Sequence, residues 1–339
     1  VKSGRSWQGG GTGTEAYPDI GALEPVHKIE IGVSSCLLGE EVRYDGGHKR
    51  NVYITGTLSQ YFDFQPICPE MAIGLGVPRP TIRLVDMGSG IRAVGVNDAS
   101  LDVTDKLRTF SQETVDTLQA ISGYILKKDS PSCGMERVRV YNSSEMPEKR
   151  GRGIFADTLI NSMPNLPVEE EGRLMDPVLR ENFLERVFIY YRWQQLINNG
   201  LTSNKLIEFH TRHKFNLLAH DETVYRKLGR MVAELDKENL QALANNYIEI
   251  LMQGLKKPAT RKRHTNVLMH IMGFFKNELA GDDKQEMLDL LDAYRAGRLP
   301  LIVPITMMKH HLRRFPHPYM EQQYYLSPYP EELMLRNSL

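Results

Sequence analysis

Hydrophobic and polar residues follow two different periods along the first half of the chain, which indicates strands interleaved with helices. Three apolar runs bounded by turn residues predict strands, namely HKIEIGVSS at 27–35, YFDFQPI at 61–67 and SGYILKK at 122–128. Residues 100–121 carry apolar positions at three- and four-residue spacing, which predicts a long amphipathic helix. Ser100 or Asp102 would cap its start.

A hairpin is predicted in TIRLVDMGSGIRAVGV (81–96), with its turn at Gly88-Ser89-Gly90. Strands separated by helices imply a mostly parallel sheet with helices on its faces. The first half is therefore predicted to be a Rossmann-like α/β domain.

Strand signals fade after about residue 174, and helical periodicity dominates the rest of the chain. Apolar residues recur at helical spacing in five segments, which are 176–197, 203–220, 240–257, 263–279 and 283–297. Asp282 or Asp283 would start the last of these helices, and Gly297 and Pro300 follow its end. The second half is therefore predicted to be all-α.

We divide the chain into an α/β domain at 27–170 and an all-α domain at 171–339, with the boundary placed near 170–200. Residues 1–26 are glycine-rich and show no periodicity, so they are expected to be a leader or a cloning remnant.

The composition is that of an ordinary globular protein, with 41% hydrophobic and 25% charged residues in 339. No apolar run approaches the roughly 18 residues that a membrane span needs, and no signal peptide is recognisable. We therefore expect a cytoplasmic protein with no membrane partner. The 42 basic and 42 acidic residues balance, so attraction to a nucleic acid must come from local patches.

Each of the three cysteines, Cys36, Cys68 and Cys133, lies just past the carboxyl end of a predicted strand. These strand ends meet at one edge of an open α/β sheet, so three thiols could converge there. Their odd number and wide spacing fit neither a disulfide framework nor a zinc ribbon. Two interpretations stay open: buried structural cysteines, or three ligands of a 4Fe-4S cluster whose fourth iron is open.

The motifs around the cysteines, SSCLLGEEVRYDG, CPEMAIGLGVPRP and SPSCG, resemble those of the thiouracil desulfidase (TudS) family over roughly residues 28–165. The resemblance implies that the three cysteines hold a [4Fe-4S] cluster with one open iron. It also implies that Glu70 of CPE is catalytic and that Ser130 of SPSC assists. The second half resembles the helical domain of the longer RudS-type proteins, which remove sulfur from 4-thiouridine in tRNA.

The chemistry implied by this resemblance is a hydrolytic desulfuration of thiolated uracil. A soft thiocarbonyl sulfur prefers a soft, open iron to a hard cation, and its binding would make the ring carbon electrophilic. Water would then add and sulfide would leave, without net electron transfer. Glu70 would act as a general acid or base, although a carboxylate after CP is also typical of a helix start.

Other residues near the motifs are weaker candidates. Ser130 precedes Pro131 and could simply be a turn residue. Asp45, Arg79 and Lys128 could hold the phosphate or the base edges of a substrate, but isolated charges are more often solvated.

Basic residues cluster in the second half, where residues 202–339 contain 20 Lys and Arg against 16 Asp and Glu, a net charge of +4. Such clusters suit a phosphate backbone, although a solvated helix face is the alternative. The expected partner is thiolated tRNA or a thiouracil-type small molecule, and no DNA is expected. The RNA-binding candidates are Lys256, Lys257, Arg261, Lys262, Arg263, Arg313 and Arg314.

Two further features of the second half have structural interpretations as well as functional ones. The aromatic stretch 315–330 could stack an unpaired base, but wrapping against the helices is favoured. His210 and His213 share a helix face and His220 lies near its end, but a metal site would normally need a clearer further ligand.

Two functions other than a desulfidase are also compatible with the sequence. One is a metal-free RNA-binding or regulatory module in which the cysteines only pack. The other is an iron–sulfur hydro-lyase that acts on a small molecule, because an open iron can equally remove a hydroxyl group.

Overall fold

Four strands of the first half form an entirely parallel sheet. They are β1 (Ile29–Ser34), β2 (Phe62–Ile67), β5 (Tyr124–Leu126) and β8 (Val168–Glu170), in the order β2-β1-β5-β8. The computed structural model describes residues 28–142, 146–235 and 239–339, so the expected leader at 1–26 lies outside the described residues. The first three strands confirm the strands predicted from the sequence.

A second sheet of four strands is mixed and has the order β4-β3-β6-β7. Its members are β3 (Ile82–Asp86), β4 (Ile91–Gly95), β6 (Val138–Tyr141) and β7 (Pro147–Gly151). The antiparallel β3–β4 pair confirms the predicted hairpin, and its turn closes through Met87 N donating to Gly90 O at 3.1 Å. The strand β7 was not predicted because it is a polar, exposed edge strand without apolar alternation.

The helices α1 (Pro69–Ala72), α2 (Thr104–Thr117) and α3 (Ile154–Ser162) accompany the sheets. The predicted helix at 100–121 was too long at both ends. Asp102 forms a bridge with Val94 of β4, and its carboxylate accepts a hydrogen bond from the backbone N–H of Thr104. The chain therefore turns helical only after Asp102 has joined the sheet.

The second half is helical. Its helices are α4 (Pro177–Asn198), α5 (Ser203–His220), α6 (Glu222–Ala233), α7 (Leu240–Leu255), α8 (Arg261–Met272), α9 (Gly281–Arg295), α10 (Ile302–Arg314) and α11 (Pro318–Glu321). The five predicted helices correspond to α4, α5, α7, α8 and α9. The helices α6 and α10 were not predicted, although Val224, Leu228 and Val232 give α6 an apolar stripe.

Two details of the helix ends differ from prediction. The helix predicted at 263–279 stops at Met272, and turns follow it. Asp282 and Asp283 lie in the first turn of α9 and do not cap it through a side chain; there they face the positive end of the helix dipole. Gly297 adopts a left-handed φ of +76° just after α9, as expected of a residue that ends a helix.

The helix α4 joins the two halves because it packs on the parallel sheet. Phe183, Leu184 and Val187 share a buried apolar cluster with Val33 and Phe62 of the sheet. The same cluster includes Tyr329, Leu333 and Leu335 from the end of the chain. The aromatic stretch therefore wraps against the helices, as favoured from the sequence.

These observations confirm the predicted fold class, a parallel sheet with flanking helices followed by a helical region. No helix in the described part of the chain is both long and apolar enough to cross a membrane.

Candidate iron–sulfur and active site

The three cysteines follow three adjacent strands of the parallel sheet. Cys36 lies in a 3-10 turn directly after β1, and Cys68 immediately follows β2. Cys133 lies in the loop after β5, the other neighbour of β1. Because parallel strands end at the same edge, the sheet brings three sequence-distant thiols to one side.

Burial and the neighbouring charges shift the pKa values of the thiols. Burial raises the pKa of Cys133 well above its usual value, and the charges of Glu70, Cys68 and Cys36 raise it further. Burial raises the pKa of Cys36 to about 11, although the cations of Lys127 and Arg43 oppose the rise. Such thiols stay protonated at neutral pH unless a cation or metal stabilises the thiolate.

Two groups near Cys68 stabilise negative charge on its sulfur. Burial raises its pKa, but the backbone N–H of Met71 at the start of α1 opposes that rise, as does the guanidinium of Arg79. Its thiol lies 3.8 Å from the carbonyl oxygen of Val42, in the loop that also covers Cys36. Backbone N–H groups at a short helix start are a common support for bound thiolates.

The loop that carries Cys133 is held by Ser130. Its hydroxyl oxygen accepts hydrogen bonds from the backbone N–H of Ser132 (3.2 Å) and of Cys133 (3.0 Å). Asp129 and Arg137, on either side of the loop, have left-handed φ values of +60° and +57°. Non-glycine residues rarely adopt this conformation, so the loop is a tightly specified one. Ser130 thus has a structural task here, and its predicted catalytic role stays a prediction.

Glu70 is fixed by two partners at the same edge. The Arg79 guanidinium donates to Glu70 Oε2 through Nε at 2.9 Å, and a second guanidinium nitrogen lies 2.8 Å from the same oxygen. The Ser132 hydroxyl donates to Glu70 Oε1 at 2.9 Å. Arg79 is nearly buried, so the structure places it against Glu70 as a partner. Its predicted role in substrate binding stays a prediction.

Ser132 and Lys127 were missed by the sequence analysis. Lys127 forms an ion pair with Glu171 at 2.5 Å, and its charge acts on Cys36. The predicted Lys128 is exposed, and its backbone N–H donates to Glu171 Oε2 at 2.8 Å. The only sequence signal for Lys127 is that it immediately follows β5.

Asp45 lies in the loop that covers Cys36 and Cys68, but its carboxylate makes its contacts within the turn. It accepts a hydrogen bond from the backbone N–H of Gly47 at 3.1 Å and lies 3.6 Å from Arg43 Nε. The Gly47 N–H lowers the pKa of Asp45. These contacts give Asp45 a turn-forming role, and substrate binding by it stays a prediction.

The donor set fits an iron–sulfur cluster. Among the described residues, no three His, Cys, Asp or Glu side chains could hold a single metal ion. In a [4Fe-4S] cluster each cysteine thiolate binds its own iron, and three thiols at one sheet edge are donors of that type. Tyr124 is fully buried, and the three thiols each raise its pKa beyond the effect of burial. Its hydroxyl has no partner among the described residues, as expected beside a group that accepts a hydrogen bond.

Comparison with known proteins identifies the family of this chain. The family described as 2-thiouracil desulfurase matches residues 31–171, and the family described as protein of unknown function DUF1722 matches residues 214–330. The uncharacterized protein YbbK of Bacillus subtilis (strain 168) is 31% identical over 137 residues, which are 38% of this chain and 88% of YbbK. The chain belongs to the 2-thiouracil desulfurase family. The resemblance found in the sequence is thereby confirmed.

The chain is similar to two further proteins. The uncharacterized protein YbgA of Escherichia coli (strain K12) is 35% identical over 159 residues, which are 47% of this chain and 94% of YbgA. Among solved structures, a [4Fe-4S]-dependent thiouracil desulfidase, TudS, has 30% identity and a TM-score of 0.34, covering 44% of this chain and 95% of its own. The chain thus joins a desulfurase domain to a DUF1722 region.

In the DUF1722 region and its flanks, several predicted RNA-binding residues have internal partners. Lys257 pairs with Asp221, and Arg263 donates to the carbonyl oxygen of His220 at 2.6 Å. Arg261 donates to the carbonyl oxygens of Tyr294 and Leu299. Arg314 lies 3.6 Å from Asp283. The side chains of Lys256, Lys262 and Arg313 make no hydrogen bond or ion pair within the described residues, so the basic run is not one uniform face.

The three histidines of α5 have separate partners. His210 Nδ1 lies 3.1 Å from the Tyr247 hydroxyl, and His213 Nδ1 lies 2.8 Å from the carbonyl oxygen of Phe209. His220 Nε2 lies 2.8 Å from the Glu185 carboxylate. The structure thus uses them in packing and in ion pairing.

Proposed function

We propose that the chain is an iron–sulfur-dependent desulfidase that converts 4-thiouridine in tRNA to uridine. The observation that carries the proposal is the meeting of Cys36, Cys68 and Cys133 at one sheet edge, beside a carboxylate held from two sides. Membership in the 2-thiouracil desulfurase family supports thiolated uracil as the substrate class. A cytoplasmic location belongs to the same proposal, because tRNA is modified there.

The reaction replaces the C=S bond of the base with a C=O bond. One water molecule is consumed and one hydrogen sulfide is released, so no oxidant or reductant is required. When bound, a [4Fe-4S] cluster held by Cys36, Cys68 and Cys133 would supply an open iron that acts as a Lewis acid toward the thiocarbonyl sulfur.

Glu70 is the group of this chain that moves the proton. Both of its oxygens accept hydrogen bonds, one set from Arg79 and one from Ser132. A carboxylate with this arrangement is suited to take a proton from the attacking water, so we assign it the role of general base. Arg79 and Ser132 are positioning residues, because they fix the carboxylate and its lone pairs.

The helical region would anchor the RNA. Its net charge is +4 over residues 202–339, and Lys256, Lys262 and Arg313 are exposed cations without internal partners in the described residues. Such cations can approach a phosphate backbone without first breaking an ion pair.

Anaerobic reconstitution of the full chain with iron and sulfide tests the cofactor. We expect about four iron and four sulfide per chain and a loss of that binding in each Cys→Ala variant. Binding that survives Cys133→Ala would refute the cluster and favour packing cysteines.

The substrate is tested by following the near-ultraviolet absorbance of 4-thiouridine in thiolated tRNA. Loss of this absorbance with release of sulfide is expected for the reconstituted chain. Turnover of the free base with intact tRNA absorbance would place the substrate among small molecules. If a hydroxy acid lost water while both thiolated substrates stayed intact, the chain would be a hydro-lyase.

A further inference from the structure

An arginine-lined groove lies on the mixed sheet next to the loop of Cys133. It encloses about 500 Å³, and four arginines contribute to its walls. We define the arginine groove by these residues: Arg108, Arg137, Arg150 and Arg152. None of them was singled out by the sequence analysis.

The groove shares its wall with the cysteine loop. Met135, two residues after Cys133, lines it, and Arg152 Nε donates to the Met135 carbonyl oxygen at 3.1 Å. Gly153 N donates to the Gly134 carbonyl oxygen at 2.8 Å. A molecule in the groove would therefore lie against the loop that positions Cys133.

The carboxylates in the groove are already neutralised. Asp157 lies 3.0 Å from Arg152, and Glu136 lies 2.9 Å from Arg173. Arg150 and Arg108 also have carboxylate partners. Arg137 is different, because no carboxylate of the described residues pairs with it.

Arg137 is also held in an unusual backbone conformation. It is exposed, and its φ of +57° lies in the left-handed region that arginine rarely adopts. It ends the loop of Cys133, so the backbone that positions the third thiol also carries this side chain. An exposed guanidinium without a carboxylate partner is available for an external anion.

Cations of the helical half extend the positive region beyond the groove. Loss of hydration lowers the pKa of the exposed Lys256, as do the charges of Arg186 and Arg152. Its side chain pairs with no carboxylate of the described residues. Arg186 is itself buried, and its Nε has no hydrogen-bond partner among the described residues. The positive charges of Arg152, which lines the groove, and of Arg186 thus both act on Lys256.

We propose that the arginine groove, through Arg137 and together with Lys256 across the junction, binds phosphate groups of a nucleotide substrate. This inference rests on the proposed function, because it supplies the phosphate contact of the same thiolated nucleotide. A guanidinium offers paired N–H donors to a phosphate, and a lysine adds a point charge. The groove would hold the phosphate backbone while the base lies at the thiols.

Binding to the anaerobically reconstituted full chain tests the groove. The probes are uridine 5′-monophosphate and unmodified bulk tRNA, neither of which carries a sulfur to be removed. The variants are Arg137→Gln and Lys256→Gln, with Lys284→Gln on the exposed face of α9 as the matched control. Iron content and thermal unfolding show whether each variant is intact.

We expect each groove variant to bind the phosphate probe about tenfold more weakly than the control variant. The slope of log affinity against log salt for tRNA should fall by about one for each lost phosphate contact. Weakening toward tRNA alone would assign the groove to an RNA backbone, and weakening toward both probes to a single nucleotide phosphate. Either result supports the proposal.

The proposal is overturned if the wild-type chain binds neither probe, or if both groove variants match Lys284→Gln for both probes. Desulfurisation of thiolated tRNA by the wild-type chain is measured separately. If that activity is absent while the groove variants still weaken phosphate binding, the proposed function fails and the groove stands. Lys262→Gln, on a different part of the basic run, shows whether the sequence-predicted patch contributes as well.

Discussion

At the scale of single residues, two serines of one motif have different roles in the candidate site. Ser130 accepts backbone hydrogen bonds and shapes the loop, whereas Ser132 donates to Glu70. Glu70 in turn faces a nearly buried Arg79, which is the only strongly basic group in direct contact with it among the described residues. The carboxylate is thereby oriented before any substrate arrives, which is how a general base gains efficiency.

Replacing Glu70 with glutamine should remove the general base and keep the shape of the side chain. We expect kcat for desulfurisation to fall by about 10²- to 10⁴-fold with the iron content unchanged. Single-turnover loss of thiouridine absorbance measures the rate, and Glu113→Gln on the exposed face of α2 is the matched control. A rate within twofold of the wild type would show that another group moves the proton.

Alanine variants of Ser130 and Ser132 should have different effects. Ser130→Ala leaves two backbone N–H groups of the loop without their acceptor, so we expect a loss of stability of about 1–3 kcal/mol and poorer iron retention. Ser132→Ala frees one oxygen of Glu70, so we expect kcat to fall about tenfold with iron retained. Urea unfolding, iron content and kcat are measured on both. If Ser130→Ala lowers kcat alone, Ser130 acts on the substrate and not on the loop.

At the scale of elements, the contact between α3 and the cysteine loop is unusually close. A Cβ at Gly153 would stand 2.4 Å from the carbonyl carbon of Ser132 and 2.7 Å from the backbone nitrogen of Cys133. Both atoms belong to the backbone, so the loop cannot give way by turning a side chain. Glycine at the start of α3 is therefore required for the position of the third thiol.

Gly153→Ala should displace the loop that carries Cys133. We expect a destabilisation of about 1–3 kcal/mol and a marked loss of reconstituted iron. Gly281→Ala at the start of α9 is the matched control, because a Cβ there has no atom within 4 Å. The close contact would be unimportant if both variants took up iron equally.

The sequence predicted the meeting of the thiols but not the partners of Glu70, for a physical reason. The residues that indicate a strand are neighbours in the sequence, and parallel strands end at one edge of the sheet. The position of each cysteine at that edge could therefore be predicted from the residues next to it. The contact between Ser132 and Glu70 joins residues 62 positions apart. Likewise, the ion pair of Lys127 depends on Glu171, which the fold brings in from just after β8. Such pairings are fixed by tertiary packing, which local periodicity does not encode.

At the scale of the whole molecule, the end of the chain is tied to α4 by buried charges. The Tyr329 hydroxyl donates to Glu181 at 2.8 Å, and Arg336 lies 3.7 Å from the same carboxylate. One turn further along α4, Glu185 contacts His220 of α5. Because α4 also packs on the parallel sheet, this cluster couples the sheet, the helices and the chain end. Buried charges of this kind make the fold sensitive to pH.

This charged cluster predicts a loss of stability as the pH rises above 5. Burial and the charge of Glu185 raise the pKa of Glu181 from 4.5 to about 7, so folding takes up a proton and stability falls between these values. Burial alone would lower the pKa of His220, but Glu185 raises it above 6.5, so its contribution is lost as the pH passes the raised value. We expect the free energy of unfolding in urea to fall by about 1–3 kcal/mol between about pH 5 and 8. Glu181→Gln should flatten this fall, whereas Glu249→Gln, exposed on α7, should not. An equally steep fall in Glu181→Gln would place the titration elsewhere.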